Sequence, residues 1–194
     1  MSQTILLWFL PLYLLLLGSD NAIQDYQTGI RNAFISRMGR KKYYLEKMIT
    51  SFFIAFMTMF ISLLVNLILV SIFFRNGMSN KGFTVPNNFL FSISIEHPYL
   101  AVFFFSLICC ILAGLVGLLG AGLSLFFLDR KYSYSAAFFI WFFLVLREDS
   151  LMYLFQPFAE YGFEVLIPIL LIAITIFISI PALIFFYEVK YNVE

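Results

Sequence analysis

The chain has 194 residues, of which 62% are hydrophobic and 12% charged, with 26 Phe and a mean hydropathy of +0.96. Soluble domains average roughly 45–50% apolar and about 25% charged residues, so the composition points to a membrane and excludes a soluble enzyme. The formal charge is +1 and the longest basic run is Arg40-Lys41-Lys42, which leaves no basic face for a nucleic-acid partner.

A bilayer core about 30 Å thick takes roughly 20 apolar residues per helix. Thr4 to Gly18 supplies 15 and carries Pro11. Met1-Ser2-Gln3 holds no Lys or Arg and no clean small-x-small cleavage site follows, so this stretch reads as a retained helix, not a signal peptide. From Asp20 to Met38 the apolar residues Ile23, Tyr26, Ile30, Phe34 and Met38 recur every three or four positions. That spacing predicts an amphipathic helix over about 20–38, with Asp25, Arg31 and Arg37 on other faces. Ser19 or Asp20 suits its start, while Arg37, Gly39 and Arg40 suit its end. One reading is a topogenic basic loop resting on lipid headgroups. The other is a docking element for a cytoplasmic partner, which Gly29 favours, because glycine in a surface helix costs stability and marks close approach.

Met48 to Phe74 gives 27 uncharged residues, enough to span with tilt. It contains Asn66, whose amide in hydrocarbon calls for an interhelical hydrogen bond or a substrate contact. Phe91-Ser92-Ile93-Ser94-Ile95-Glu96 alternates, which predicts a strand or an edge-on interfacial segment. His97 is the single histidine and has no further ligands near it for a metal. Tyr99 to Leu128 gives 30 apolar or small residues. Within it Ala113, Gly117 and Ala121 recur every four positions, with Gly114 and Gly120 beside them, as a helix-packing face. Its neighbour is either a helix of the same chain or another subunit. Cys109 and Cys110 are adjacent on one helix and point apart, so they form no disulfide framework or metal site.

Ser135 to Leu146 holds only 12 apolar residues before Arg147-Glu148-Asp149. It spans, over 132–147, by borrowing Tyr132-Ser133-Tyr134 and snorkelling Arg147 to the interface. Val165 to Tyr187 is the last span, 23 residues with Pro168 and Pro181 inside it. Six cations (Arg31, Arg37, Arg40, Lys41, Lys42 and Lys47) lie in the first loop, and Arg130, Lys131 and Lys190 fall on the same side. The excess of Lys and Arg marks that side as cytoplasmic. Five helices then place the N-terminus outside and the C-terminus in the cytoplasm. The sequence carries no Walker-type loop, His-Glu-x-x-His pattern or Ser/His/Asp set, so no catalytic residue and no cofactor or metal site is expected in this chain.

Asp25-Tyr26-Gln27-Thr28-Gly29, Ile35-Ser36-Arg37-Met38-Gly39-Arg40-Lys41-Lys42-Tyr43 and Lys47 resemble the cytoplasmic loop of ABC-2 type transporter permeases. The later order is similar too: His97-Pro98-Tyr99-Leu100 opening a glycine-bearing span, Lys131-Tyr132 before a short Phe-rich helix, a Pro157 loop, and a last helix ending Tyr187-Glu188-Val189-Lys190. The resemblance implies an all-α polytopic membrane protein, one transmembrane domain over 1–194, with about five transmembrane helices and a cytoplasmic coupling-like amphipathic helix. It further implies a non-catalytic subunit of an exporter in a bacterial cytoplasmic membrane. ATP and Mg would be bound by separate cytoplasmic ABC ATPase subunits. A second permease copy or a related permease would complete the assembly. Asp25, Gly29, Arg31, Arg37 and Arg40 are the positions it assigns to the ATPase contact. Permeases of this family usually have six spans and a cytoplasmic N-terminus, whereas this chain starts near their second span, as a short member, a truncation or half of a split permease would. The alternative is a non-transporting immunity, assembly or accessory factor that binds another membrane protein.

Overall fold

The computed structural model describes residues 8–73, 89–156 and 161–191. Thr4 to Leu7 of the first expected span, and Phe74, Arg75, Lys81, Pro157 and Glu160, lie outside the described residues. In chain order, α1 (Leu10–Leu14) runs into a π-helical turn (Leu15–Ser19), and α2 (Asn21–Gln27) and α3 (Ile30–Met38) follow. Then come α4 (Arg40–Phe73), α5 (Phe89–Glu96), α6 (Pro98–Phe126), α7 (Arg130–Leu146), a 3-10 turn (Leu151–Phe155) and α8 (Phe163–Tyr191).

Three helices are long and apolar enough to cross a membrane: α4, α6, and α8 as far as Lys190. The remaining two of the five expected spans are α1 and α7. At 17 residues, α7 extends about 26 Å at 1.5 Å per residue, short of a bilayer core about 30 Å thick. Among the described residues there is no strand. The alternating stretch Phe91–Glu96 lies in α5 instead. Its polar residues are accommodated locally, since the Ser92 and Ser94 hydroxyls donate to the carbonyls of Phe89 and Leu90 at 2.9 and 2.7 Å, so a period of two is not needed to hide them.

The centre of the bundle is α6, and its small residues are what bring three neighbours against it. A Cβ on Gly117 would lie 2.6 Å from the Cβ of Ala55 and 2.8 Å from the carbonyl oxygen of Ser51, both on α4. A Cβ on Gly122 would lie 3.1 Å from Pro181 Cα on α8. Gly120 faces Leu15 and Ser19 of the π-helical turn. Ala113 and Ala121 are buried in the chain's own core. The packing face read from Ala113, Gly117 and Ala121 therefore meets helices of the same chain, and Pro181 meets a glycine at a helix crossing. Dispersion and close approach hold helices together in lipid, where apolar surface alone gives no net drive.

The core around α6 is completed by Trp141 of α7, stacked on Phe177 of α8 with ring centroids 6.1 Å apart. Along the other flank, Trp8 and Phe9 at the start of α1 contact Phe142 and Phe138 of α7 at 6.0 and 5.7 Å. The buried residues of α4 are Tyr43, Tyr44, Met48, Ser51 and Ala55, all in its first half.

Candidate functional site

The segment expected as one amphipathic helix over 20–38 is an elbow of two short helices. α2 gives way at Thr28, whose hydroxyl donates to the Gln24 carbonyl at 2.9 Å. Gly29 then takes φ +74°, ψ −3°, a left-handed conformation that costs other L-residues roughly 1–2 kcal/mol. Nothing lies within 4 Å of where its Cβ would be. Gly29 thus serves the turn, not a close approach. The turn also splits the expected stripe: Ile23 is fully buried, Met38 is partly buried beside Tyr43 and Tyr44, and Tyr26, Ile30 and Phe34 are exposed. Helical register does not survive a left-handed residue, so residues spaced for one face end on two.

The elbow is fastened to the bundle by paired side chains. On α2, Asp25 accepts a hydrogen bond from the Tyr43 hydroxyl at 2.8 Å and an ion pair from Lys47 at 2.7 Å, both on the first turns of α4. On α3, the Arg31 guanidinium donates to the Tyr44 hydroxyl, and that hydroxyl donates onward to Glu188 Oε2 of α8 at 2.9 Å. The guanidinium also lies over the Tyr26 and Tyr44 rings, 5.8 Å from each centroid. Glu188 is 6% exposed. A carboxylate so enclosed requires hydrogen bonding to the charged form, which Tyr44 supplies. Arg31, Tyr44 and Glu188 tie three separate helices into one chain of bonds.

A second set of bonds fixes the turn that precedes the elbow. Asp20, 3% exposed, accepts from Arg130 Nε at 3.0 Å, from the Tyr134 hydroxyl at 3.2 Å and from Gln24 Nε2 at 3.3 Å. Ser51 of α4 donates to the Gly117 carbonyl at 2.8 Å. Its one proton is then committed, so the 2.6 Å contact between Ser19 and Ser51 hydroxyls has Ser19 as donor. The Ser124 hydroxyl lies 2.8 Å from the Ser19 carbonyl, one of the carbonyls that the π-helical turn displaces from the regular ladder.

These contacts bring the start of α4, the start of α7 and the end of α8 to the same end of the bundle. Arg31, Arg37, Arg40, Lys41, Lys42, Lys47, Arg130, Lys131 and Lys190 are gathered there. Of the expected site residues, Asp25 and Arg31 are engaged within the chain, Gly29 and Arg37 are exposed, and Arg40 is half-buried with one guanidinium nitrogen lacking a hydrogen-bond partner. The sequence reading missed Tyr44 and Glu188 as a relay and gave Asp20 only a capping role, though its side chain makes no cap bond. The available signal was Asp20 and Glu188 themselves, carboxylates at the margins of apolar spans, where an ionised group has to find partners. Among the described residues, no group of three His, Cys, Asp or Glu side chains is placed to hold a metal ion. Cys109 and Cys110 are buried free thiols.

No protein-family model and no solved structure matches the chain. The chain is 56% identical over 194 residues to the uncharacterized protein YybM of Bacillus subtilis, an alignment that covers 98% of this chain and 77% of that protein. Identity at that level over nearly the whole chain shows common descent and a shared fold, and the chain belongs to the same family as YybM.

Proposed function

We propose that the chain is the membrane-spanning permease subunit of an ABC-2 type transporter, with the α2–α3 elbow as its coupling element and the polar end of the bundle in the cytoplasm. The observation that carries this reading is the fastening of the elbow. An element that passes an external push to membrane helices has to be exposed on one side and bonded rigidly to several helices on the other. Gly29 and Arg37 lie on the exposed side, with Tyr26, Ile30 and Phe34 as apolar contact surface. Asp25 and Arg31 are positioning residues that hold the elbow to α4 and, through Tyr44, to α8. Arg40 sits at the corner where α3 turns into α4. The gathering of nine cations at this end supports its cytoplasmic placement through the positive-inside rule. In this reading ATP and Mg belong to a separate ATPase, and export is the direction carried over from the family resemblance.

The test is purification of the chain in mild detergent from its native membrane, followed by mass spectrometry of what accompanies it. A stoichiometric nucleotide-binding subunit is expected, and Arg37→Glu is expected to reduce its recovery about tenfold, since truncating or inverting a central interface arginine costs about 1–2 kcal/mol or more. Recovery of a membrane protein with no nucleotide-binding subunit would replace this reading with that of an accessory factor.

A further inference from the structure

At the end of the bundle opposite the elbow, where α6 and α8 begin, a slot of about 500 Å³ lies between α5, α6, α8 and the 3-10 turn. It follows α6 from His97, the residue before its first turn, to Ile108, and α8 from Phe163 to Leu170. At 1.5 Å per residue it is about 16 Å long. Its wall is apolar in depth, with Phe105, Leu154 and Leu166 buried in it. The one hydroxyl among the described lining residues, that of Ser94, is engaged by the Leu90 carbonyl at 2.7 Å. An occupant therefore meets no free hydrogen-bonding side chain below the His97 imidazole, and only hydrocarbon enters without leaving a polar group unmatched. A helix 10–12 Å across would fill about 1,300 Å³ or more over the same length, so the slot admits a single chain and not a peptide helix.

Lipid tails match such a lining as well as any other hydrocarbon does, so the chain alone selects nothing and preference lies with the head. The mouth is acidic. Glu96 adjoins His97 and Glu164 adjoins Phe163, and both carboxylates are exposed. Glu148 and Asp149 stand at the same end, where Arg147 is the single Arg or Lys among the described residues. Neither Glu96 nor Glu164 is in an ion pair among the described residues. Carboxylates at the rim of a low-dielectric slot attract a cation and repel an anion, and the His97 imidazole can accept from an N–H of the same head. We propose that the slot binds an amphipathic cation, a single hydrocarbon chain ending in a protonated amine, with the chain along α6 and the ammonium at Glu96, His97 and Glu164. The inference rests neither on the coupling role of the elbow nor on a second subunit.

The test uses the full chain in phosphatidylcholine vesicles, whose head groups carry no net charge, with a dodecylammonium probe bearing a diazirine at its chain end. After photolysis, mass spectrometry is expected to find the label at the deep end of the slot, on Phe105, Ile108 or Leu170. Unlabelled dodecylammonium should compete, and dodecanoate, the same chain with a carboxylate, should compete about tenfold less well. Glu96→Gln combined with Glu164→Gln should weaken binding of the amine about three- to tenfold, the range for two exposed ion pairs. Ala101→Phe, which puts a ring into the slot, should remove the deep label. A label spread over the lipid-facing residues of α4 and α8, as plain partitioning into the bilayer gives, would overturn the proposal. Equal competition by dodecanoate would make the slot a seat for any acyl chain of the bilayer and overturn it too, as would indifference to the paired glutamine substitutions. None of these outcomes depends on an ATPase being present, so the two proposals fail separately.

Discussion

Tyr44 answers to two charges at once, accepting from Arg31 and donating to Glu188. A phenylalanine at this position would keep the ring and remove both bonds. Hydrogen bonds to charged groups contribute about 1.5–3 kcal/mol, so Tyr44→Phe is expected to destabilise the chain by about that amount in a detergent thermal-unfolding measurement. Arg31→Gln removes one arm of the same relay. Because the two changes share a partner, the double variant should lose less than the sum of the singles; strict additivity would show that Arg31 and Tyr44 act independently. Asp25 bridges Tyr43 and Lys47 in a half-buried setting. Screening there trims the ion-pair component, and Lys47→Met should cost less than Tyr44→Phe in the same assay.

Two glycines separate backbone freedom from space as reasons for an element to take its form. At Gly29 there is room but a left-handed φ, so Gly29→Ala should cost about 1–2 kcal/mol and Gly29→Asn distinctly less, since asparagine visits that conformation more readily. At Gly117 the backbone is ordinary helix and the space is absent. A side chain there meets Ala55 and the Ser51 backbone, and Gly117→Val should cost about 1–3 kcal/mol through overpacking, with α4 displaced from α6 in distance measurements between spin labels. The same pair of residues shows what could be read from sequence. The small-residue spacing around Gly117 named a packing face, and the face exists; which helix it meets depends on tertiary approach that spacing does not encode. The stripe from Ile23 to Met38 was legible as helix, but the φ of one residue decided that it was two helices, and a period count cannot see a dihedral angle. Asn66 was expected to make an interhelical hydrogen bond or a substrate contact; among the described residues it has no hydrogen-bond partner, and it lies beyond Ala55, the last buried residue of α4.

For the whole molecule, hydropathy made the long apolar helices α4, α6 and α8 legible, since length and composition are sufficient for them. The short helices α1 and α7 were read from apolar stretches of 15 and 12 residues, and the described residues of both are helical here, packed on each other through Trp8, Phe9, Phe138 and Phe142. The polar end was legible only as a list of cations. The carboxylates Asp20 and Glu188 meet Tyr134 and Tyr44 across more than a hundred residues, and separations of that kind are set by topology. The side of the membrane is measurable: Ser36→Cys, exposed on α3, should be modified by an impermeant thiol reagent in inside-out vesicles and spared in intact cells. The reverse pattern would place the polar end outside and remove the basis of the coupling reading.

One consequence follows from how unevenly α4 is held. Its buried residues stop at Ala55, leaving 18 residues to Phe73 with none buried, an arm of about 27 Å at 1.5 Å per residue. A rotation of about 10° at the root would sweep the far tip through about 5 Å, given that arm. If the elbow is the coupling element proposed above, a tilt imposed at the root of α4 is carried along its length to the far end, and whatever lies against the outer half of the helix meets that stroke.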